Sequence, residues 1–322
     1  MPSARPSSDK SLRALLQGVS RSFFLSIQLL PSGLRRPVAV GYLLARASDT
    51  IADAPGLSRD ERLKALDDFA SAVRGQAALP DIRSTAGMTP DEQRLVQQLP
   101  QCLAALDELA PADQDDVFAV LGHIVRGQRL DVERFGDATA GAPRSLASAA
   151  ELDEYTYLVA GCVGEFWTKL GFRHVPRFAD RPAEEMLELG RRYGMALQLV
   201  NVLRDADGDL AMGRRYLPAQ EAAPQPWIER AQSGLECGMR YAGALRNARV
   251  RVATALPALI GARTLALLRT QGPGAKVPRA QVRSLLWRVL LTLGRNTTLQ
   301  REFRRVDNDT RSLGEQWENR PR

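Results

Sequence analysis

The sequence predicts an all-α protein. Apolar side chains recur at three- and four-residue spacing along almost the whole chain, no stretch of substance alternates as a strand would, and no tandem repeat of fixed period is present. With 322 residues and 44% hydrophobic content, the chain can bury a large core as one big helical domain or two smaller ones.

Residues 1–10 read as a disordered N-terminal tail. Helical periodicity then runs from Ser11 to Leu30, where Pro31 and Gly33 break it. Inside it Ser20 and Ser22 flank Arg21, and Phe23 follows. Two hydroxyls beside a guanidinium suit phosphate oxygens; a plain helix surface is the alternative. A second apolar helix is predicted over 38–54, stopped by Pro55-Gly56. Tyr42, Arg46, Asp49 and Asp53 fall on one of its faces, and the other faces are apolar, so these groups are expected to point inward. A buried Arg46–Asp49 ion pair is the alternative reading. Ser58 and Glu61 have the spacing of a capping box that opens a packing helix over 58–74. Residues 75–90 are turn-rich, and helices are predicted over 91–109 and 112–135. Asp131 in the second either adds a carboxylate to the acidic face or pairs with Arg129 or Arg134.

After a loop at 136–145, the helical stretch 152–172 contains Ala160, Gly161 and Gly164. Glycine inside a helix costs roughly 1 kcal/mol relative to alanine, so it predicts close approach of another helix or of a bulky apolar ligand. Tyr155, Val159, Cys162 and Phe166 share a face that either walls an apolar tunnel or belongs to the core. The next helix, over 184–209, ends in QLVNVLRDADGD. Gln198, Asn201, Asp205 and Asp209 form a narrow stripe among Leu197, Leu199, Val200, Val202 and Leu203. Buried carboxylates need a partner, and two acids one turn apart suit hard divalent cations, which makes metal-bound phosphate the first expectation. Gly213, Arg214 and Arg215 follow as a flexible basic loop, either a phosphate clamp or a solvated surface. Helices over 227–255, 257–270 and 279–294 complete the pattern, with Lys276 in the turn between the last two. Residues 295–322 read as a charged tail.

Composition narrows the partners. The net charge of +7, from 44 basic and 37 acidic side chains, favours anions such as diphosphates or acidic lipid headgroups. Aromatics make up 6% of the chain and no basic run interleaves with them, so no nucleic-acid partner is expected. Cys102, Cys162 and Cys237 form no CxxC, and His123 and His174 no HExxH, which argues against a zinc site, a disulfide framework or a histidine-based triad. No apolar run approaches a membrane span and no signal peptide is evident. A cytoplasmic protein is expected, in peripheral contact at most with an anionic inner membrane face.

SRSFFLSIQLLP with YLLARASDTIAD, then YTYLVAGCVGEF, then QLVNVLRDADGDLAMGRRYLP resemble, in this order and at similar separations, the squalene/phytoene synthase family of head-to-head prenyl synthases. The resemblance implies an isoprenoid-synthase-type helical bundle around a central cavity, a single catalytic domain at 11–294. Two acidic helices would face each other there and hold Mg2+ against the diphosphates of two prenyl substrates. It makes Asp49, Asp53, Asp205 and Asp209 the metal ligands, and Tyr155 the tyrosine with a role in the cation chemistry. Ser20, Ser22, Phe23, Tyr42, Arg46, Gln198 and Asn201 become substrate-binding residues, and Arg214, Arg215 and Tyr216 the lid.

Within the family, DTIAD and EFW are closer to squalene synthases. Lys276, in AKVPRAQV, resembles the turn where those enzymes carry a lysine for the NADPH phosphate. The implied reaction is condensation of two farnesyl diphosphates through presqualene diphosphate to squalene, with NADPH as reductant. Phytoene, dehydrosqualene and presqualene diphosphate synthases, which deliver no hydride, are the alternatives; a non-catalytic helical scaffold of the same family is a further one, against which the inward carboxylates argue. Two departures stand out. Ala52 occupies a position where many squalene synthases have an acid, and the C-terminal membrane span of the eukaryotic enzymes has no counterpart, which points to a bacterial-type soluble or peripheral enzyme.

Overall fold

The computed structural model describes residues 6–82, 85, 87–221, 223–291 and 297–305. They divide into two compact units, Met1–Asp137 with Lys169–His174, and Ala138–Thr168 with Val175–Arg322. Among the described residues the only strands are a pair two residues long, so the all-α expectation holds.

The first unit contains α1 (Pro6–Leu29), α2 (Ser32–Ala52), α3 (Arg59–Val73), α4 (Pro90–Gln97), α5 (Leu99–Asp107) and α6 (Pro111–Phe135). Helix α2 is its centre and packs on all five others. It begins well before the expected residue 38 and runs through Pro37, because burial of Leu34, Pro37 and Val38 outweighs the single backbone bond the ring removes. Helix α1 likewise starts inside the expected tail. The helix expected over 91–109 divides at Gln98, since Pro100 suits a new first turn. The capping box at Ser58 forms as expected, the Ser58 amide donating to Glu61 at 2.7 Å. A second one, unforeseen, joins Thr89 and Glu92 at the start of α4. Asp113, buried near the start of α6, accepts from Arg173 at 2.8 Å and lies 2.8 Å from His174 Nε2.

In the second unit, α7 (Ala149–Thr156) leads through a π turn (Tyr157–Gly161) into α8 (Cys162–His174), whose last stretch, Lys169–His174, belongs to the first unit; α9 (Ala183–Ala211), α10 (Pro224–Ala244), α11 (Ala248–Gln271) and α12 (Arg279–Leu291) follow. Helix α9 packs on α7, the π turn, α10 and α11. The glycines of 152–172 serve helix packing. A Cβ added to Gly164 would stand 2.0 Å from the Gly190 carbonyl oxygen, and one on Gly194 2.2 Å from that of Ala160. Backbone therefore lies on backbone here, with no side chain between.

The helix expected over 227–255 is two helices. Asn247 caps α11, accepting from the Arg249 and Val250 amides at 3.0 and 3.2 Å, and the segment before it bonds to 178–180. Pro257, expected as a boundary, lies inside α11. That helix also corrects the expectation that no stretch could span a membrane: by length and a mean hydropathy of 1.4 it qualifies, yet 72% of the apolar window is buried within the protein, as a core helix requires. The stretch expected as a charged tail contains a helical segment, 297–305, with Leu299 and Phe303 buried.

Candidate functional site

In the first unit, α2 brings Tyr42, Arg46, Asp49 and Asp53 to one face. The Arg46 guanidinium donates to Asp49, one turn on, and its second nitrogen to Glu92 Oε1 at 2.6 Å. The Tyr42 hydroxyl donates to the Val19 carbonyl of α1 at 3.3 Å. Burial pushes the Tyr42 hydroxyl up to about 12. Burial also pushes the Asp49 carboxyl up to about 6, reinforced by the negative charges of Asp53, Asp131 and Glu92 and opposed by Arg46. Solvent nevertheless reaches 42% of the Asp49 side chain, so the carboxylate lies in a recess rather than in the core. The Asp131 charge acts on Asp49, as the acidic-face reading expects, and Arg129 bonds Asp67 and Glu133 at 2.5 and 3.1 Å.

Glu92 was not foreseen. Burial alone would raise its carboxyl, but the Thr89 amide and hydroxyl and the Arg46 guanidinium outweigh it and hold Glu92 below the usual range. The Thr-x-x-Glu spacing signalled its capping role; nothing in the spacing signalled its hold on Arg46. Ser20 is buried and its hydroxyl turns back to the Leu16 carbonyl of its own helix. The side chains of Ser22 and Phe23 lie outside the described residues.

In the second unit, α7 and α9 bring Tyr155 and the polar stripe together. The Gln198 amide donates to the Tyr155 hydroxyl oxygen at 3.4 Å, and Asn201 donates to Gln198 Oε1 at 3.3 Å. Tyr155 stacks on Tyr216, centroids 4.9 Å apart, so two aromatic faces adjoin the amides. Arg204, another residue not singled out, pairs with Asp205, Nε to Oδ1 at 2.9 Å. That bond and the nearby Asp205 and Asp209 charges raise the Arg204 guanidinium against burial.

The basic stretch after α9 is not the flexible loop expected. Arg214–Arg215 (β2) pairs in parallel with Arg144–Ser145 (β1), the Arg144 amide donating to Gly213 at 2.9 Å. Gly213 has φ +84° and a Cβ there would meet Thr139 at 2.4 Å, so glycine is what lets the chain turn into this pairing. Lys276 is exposed in the turn before α12, and the Gly274 amide of that turn donates to the Arg204 carbonyl at 2.6 Å. That bond ties the Lys276 turn to the end of the α9 stripe.

A cavity of about 300 Å3 opens elsewhere on α9, lined by Leu152, Thr156, Arg192, Met195, Trp227 and Ser233 among others; no predicted site residue lines it. Among the described residues no three His, Cys, Asp or Glu side chains converge on a metal position. A pair of acids at one-turn spacing fits a hard cation that completes its shell with phosphate oxygens and water, which is the chemistry Mg2+ prefers. The elevated Asp49 carboxyl fits the same partner, since a cation there would relieve its charge.

A family model described as squalene/phytoene synthase matches residues 16–226. Squalene synthase BSS of Botryococcus braunii is 30% identical over 197 residues, 61% of this chain and 39% of that protein. The bifunctional lycopene cyclase/phytoene synthase of Podospora anserina is 28% identical over 213 residues, 63% of this chain and 34% of that one. The matched stretch therefore spans less than half the length of these curated relatives. A solved structure of TcSQS in complex with a ligand superimposes with a TM-score of 0.73 at 20% identity, covering 97% of this chain and all of that one, a likeness of fold.

Proposed function

Because the chain belongs to the squalene/phytoene synthase family, we propose that it is a prenyltransferase that condenses two farnesyl diphosphates head to head, through presqualene diphosphate, to squalene. The observation that carries this reading is the α2 stripe, an arginine and two aspartates in a recess with one carboxyl raised to about 6, matched in residue type by Arg204, Asp205 and Asp209 on α9. Such sets suit diphosphate and nothing else the composition favours so well.

Asp49, Asp53, Asp205 and Asp209 would hold Mg2+, which when bound neutralises the charge of the departing diphosphate. Arg46 and Arg204 add guanidinium donors to phosphate oxygens, each kept in place by a carboxylate partner. Tyr155, fixed by the Gln198 amide and stacked on Tyr216, presents aromatic surface to an allylic cation, which polar side chains would trap. Arg214, Arg215 and Tyr216 close over the diphosphate from the β2 side. Lys276 would receive the phosphate of NADPH, and its tethered turn supports that role. We assign catalysis to residues 11–294, a cytoplasmic location, and contact with an anionic membrane surface.

A phytoene or dehydrosqualene synthase is the second reading, supported by the phytoene synthase among the relatives. Purified protein with Mg2+ and either farnesyl or geranylgeranyl diphosphate, with and without NADPH, separates these by mass spectrometry. Squalene formed only with NADPH is expected. Phytoene overturns the squalene reading, and no turnover with either substrate leaves the scaffold role.

A further inference from the structure

From Cys237 to Arg301 the sequence carries twelve basic side chains and no aspartate or glutamate. The rest of the chain is therefore net −5, the total of +7 less those twelve. Helix α12 displays this segregation on its surface. Val289 is buried on the side that packs against α11, where Arg263 also donates to Gln281 at 3.3 Å. On the opposite side Arg279, Ala280, Arg283, Ser284 and Trp287 are exposed, and at 100° per residue they form a single stripe. Trp287, 65% exposed, is the most exposed large hydrophobic side chain among the described residues. Among the described residues Arg279 and Arg283 have no carboxylate partner there; Arg288, further round, pairs with Glu302 at 3.4 Å.

We propose that the exposed face of α12 is a docking surface for an anionic lipid bilayer, with Trp287 entering the headgroup boundary and Arg279 and Arg283 meeting lipid phosphates. The surface stands independently of the reaction proposed above. Tryptophan is favoured at the bilayer boundary because its ring is apolar and its N–H can remain hydrated, and arginine stems lie along apolar surface while their heads reach phosphate. A second copy of the chain is a poor occupant: a two-fold contact would set the same unpaired arginines against one another. Single-stranded nucleic acid fits less well, since Trp287 is the only aromatic side chain on the helix and offers no platform for successive bases.

The test is flotation of the full-length protein with phosphatidylcholine vesicles made with and without phosphatidylglycerol, alongside capture on single-stranded RNA. Binding should require phosphatidylglycerol and weaken with added salt. Arg279→Glu with Arg283→Glu should lower partitioning at least about twentyfold, at roughly fivefold for each cation lost from the surface. Trp287→Ala should lower it about tenfold, from the apolar area withdrawn. The conservative Trp287→Phe keeps the fold, and it should remove the quenching of tryptophan fluorescence by brominated lipid that the parent shows. No binding to anionic vesicles, equal binding to neutral ones, variants that bind like the parent, or RNA capture without vesicle binding would each overturn the proposal.

Discussion

Ionised Asp49 opposes the stability of the unit that carries it. Its folded pKa of about 6 lies above its ordinary value of 3.8, so between the two the folded chain holds more proton than the unfolded one, and stability falls as pH rises through that window. Asp49→Asn should therefore abolish diphosphate release and yet raise Tm more at about pH 8 than at about pH 4. The gain should stay within about 1 kcal/mol, because solvent reaches the side chain; a lower Tm at the higher pH would contradict the assignment. Glu92 has the opposite sign. Its carboxyl is held below the ordinary value, so its contribution is present above that value and is lost as pH falls through the folded one. Glu92→Gln should cost about 1 kcal/mol at neutral pH, read by urea unfolding, and match the parent in acid. The Tyr42 to Asp53 stripe was legible because its polar residues keep helical spacing inside apolar sequence. Glu92 as partner of Arg46 was not, because 46 residues separate them and no local rule reports a contact at that distance. Arg204 escaped for another reason: it lies next to Asp205, about 100° round the helix from the stripe that drew attention.

At the scale of elements, packing decided what propensity left open. The glycines of 152–172 signalled a close approach without naming the partner, which is the backbone of α9. Gly164→Ala should destabilise by about 2–3 kcal/mol, lowering the urea midpoint at constant m, since neither backbone can withdraw. Pro257 read as a boundary because it removes a backbone donor, yet α11 continues through it with most of its length in the core. Asn247 was the true punctuation. Asn247→Ala should cost about 1 kcal/mol through loss of the cap, while activity per folded molecule is kept. The pairing of Arg144 with Arg214 was beyond reach of the sequence, because two-residue strands have no periodicity to detect.

At the scale of the whole molecule, no three acids among the described residues converge on a metal position, which makes metal and substrate binding interdependent. Mg2+ alone should leave Tm almost unchanged. Mg2+ with a non-ionising farnesyl thiodiphosphate should stabilise by about 2.7 kcal/mol at a hundredfold excess over Kd; a full shift from Mg2+ alone would mean a metal site complete without substrate. Fold class and the stripe-bearing helices were legible at this scale because both depend on pattern summed over many residues. The last chemical step was not, because hydride or proton transfer depends on a few atoms in a pocket and leaves no period in the chain. The backbone contacts at Gly164 and Gly194 have a bearing on how such a protein can change over time. They act as a key in a slot, fixing the rotation of α9 a full turn before Gln198. A single inserted residue between slot and stripe would turn every downstream carboxylate by about 100°. Length is therefore an inherited quantity in that segment, alongside the small side chain of Ala196, which is buried against Gly234.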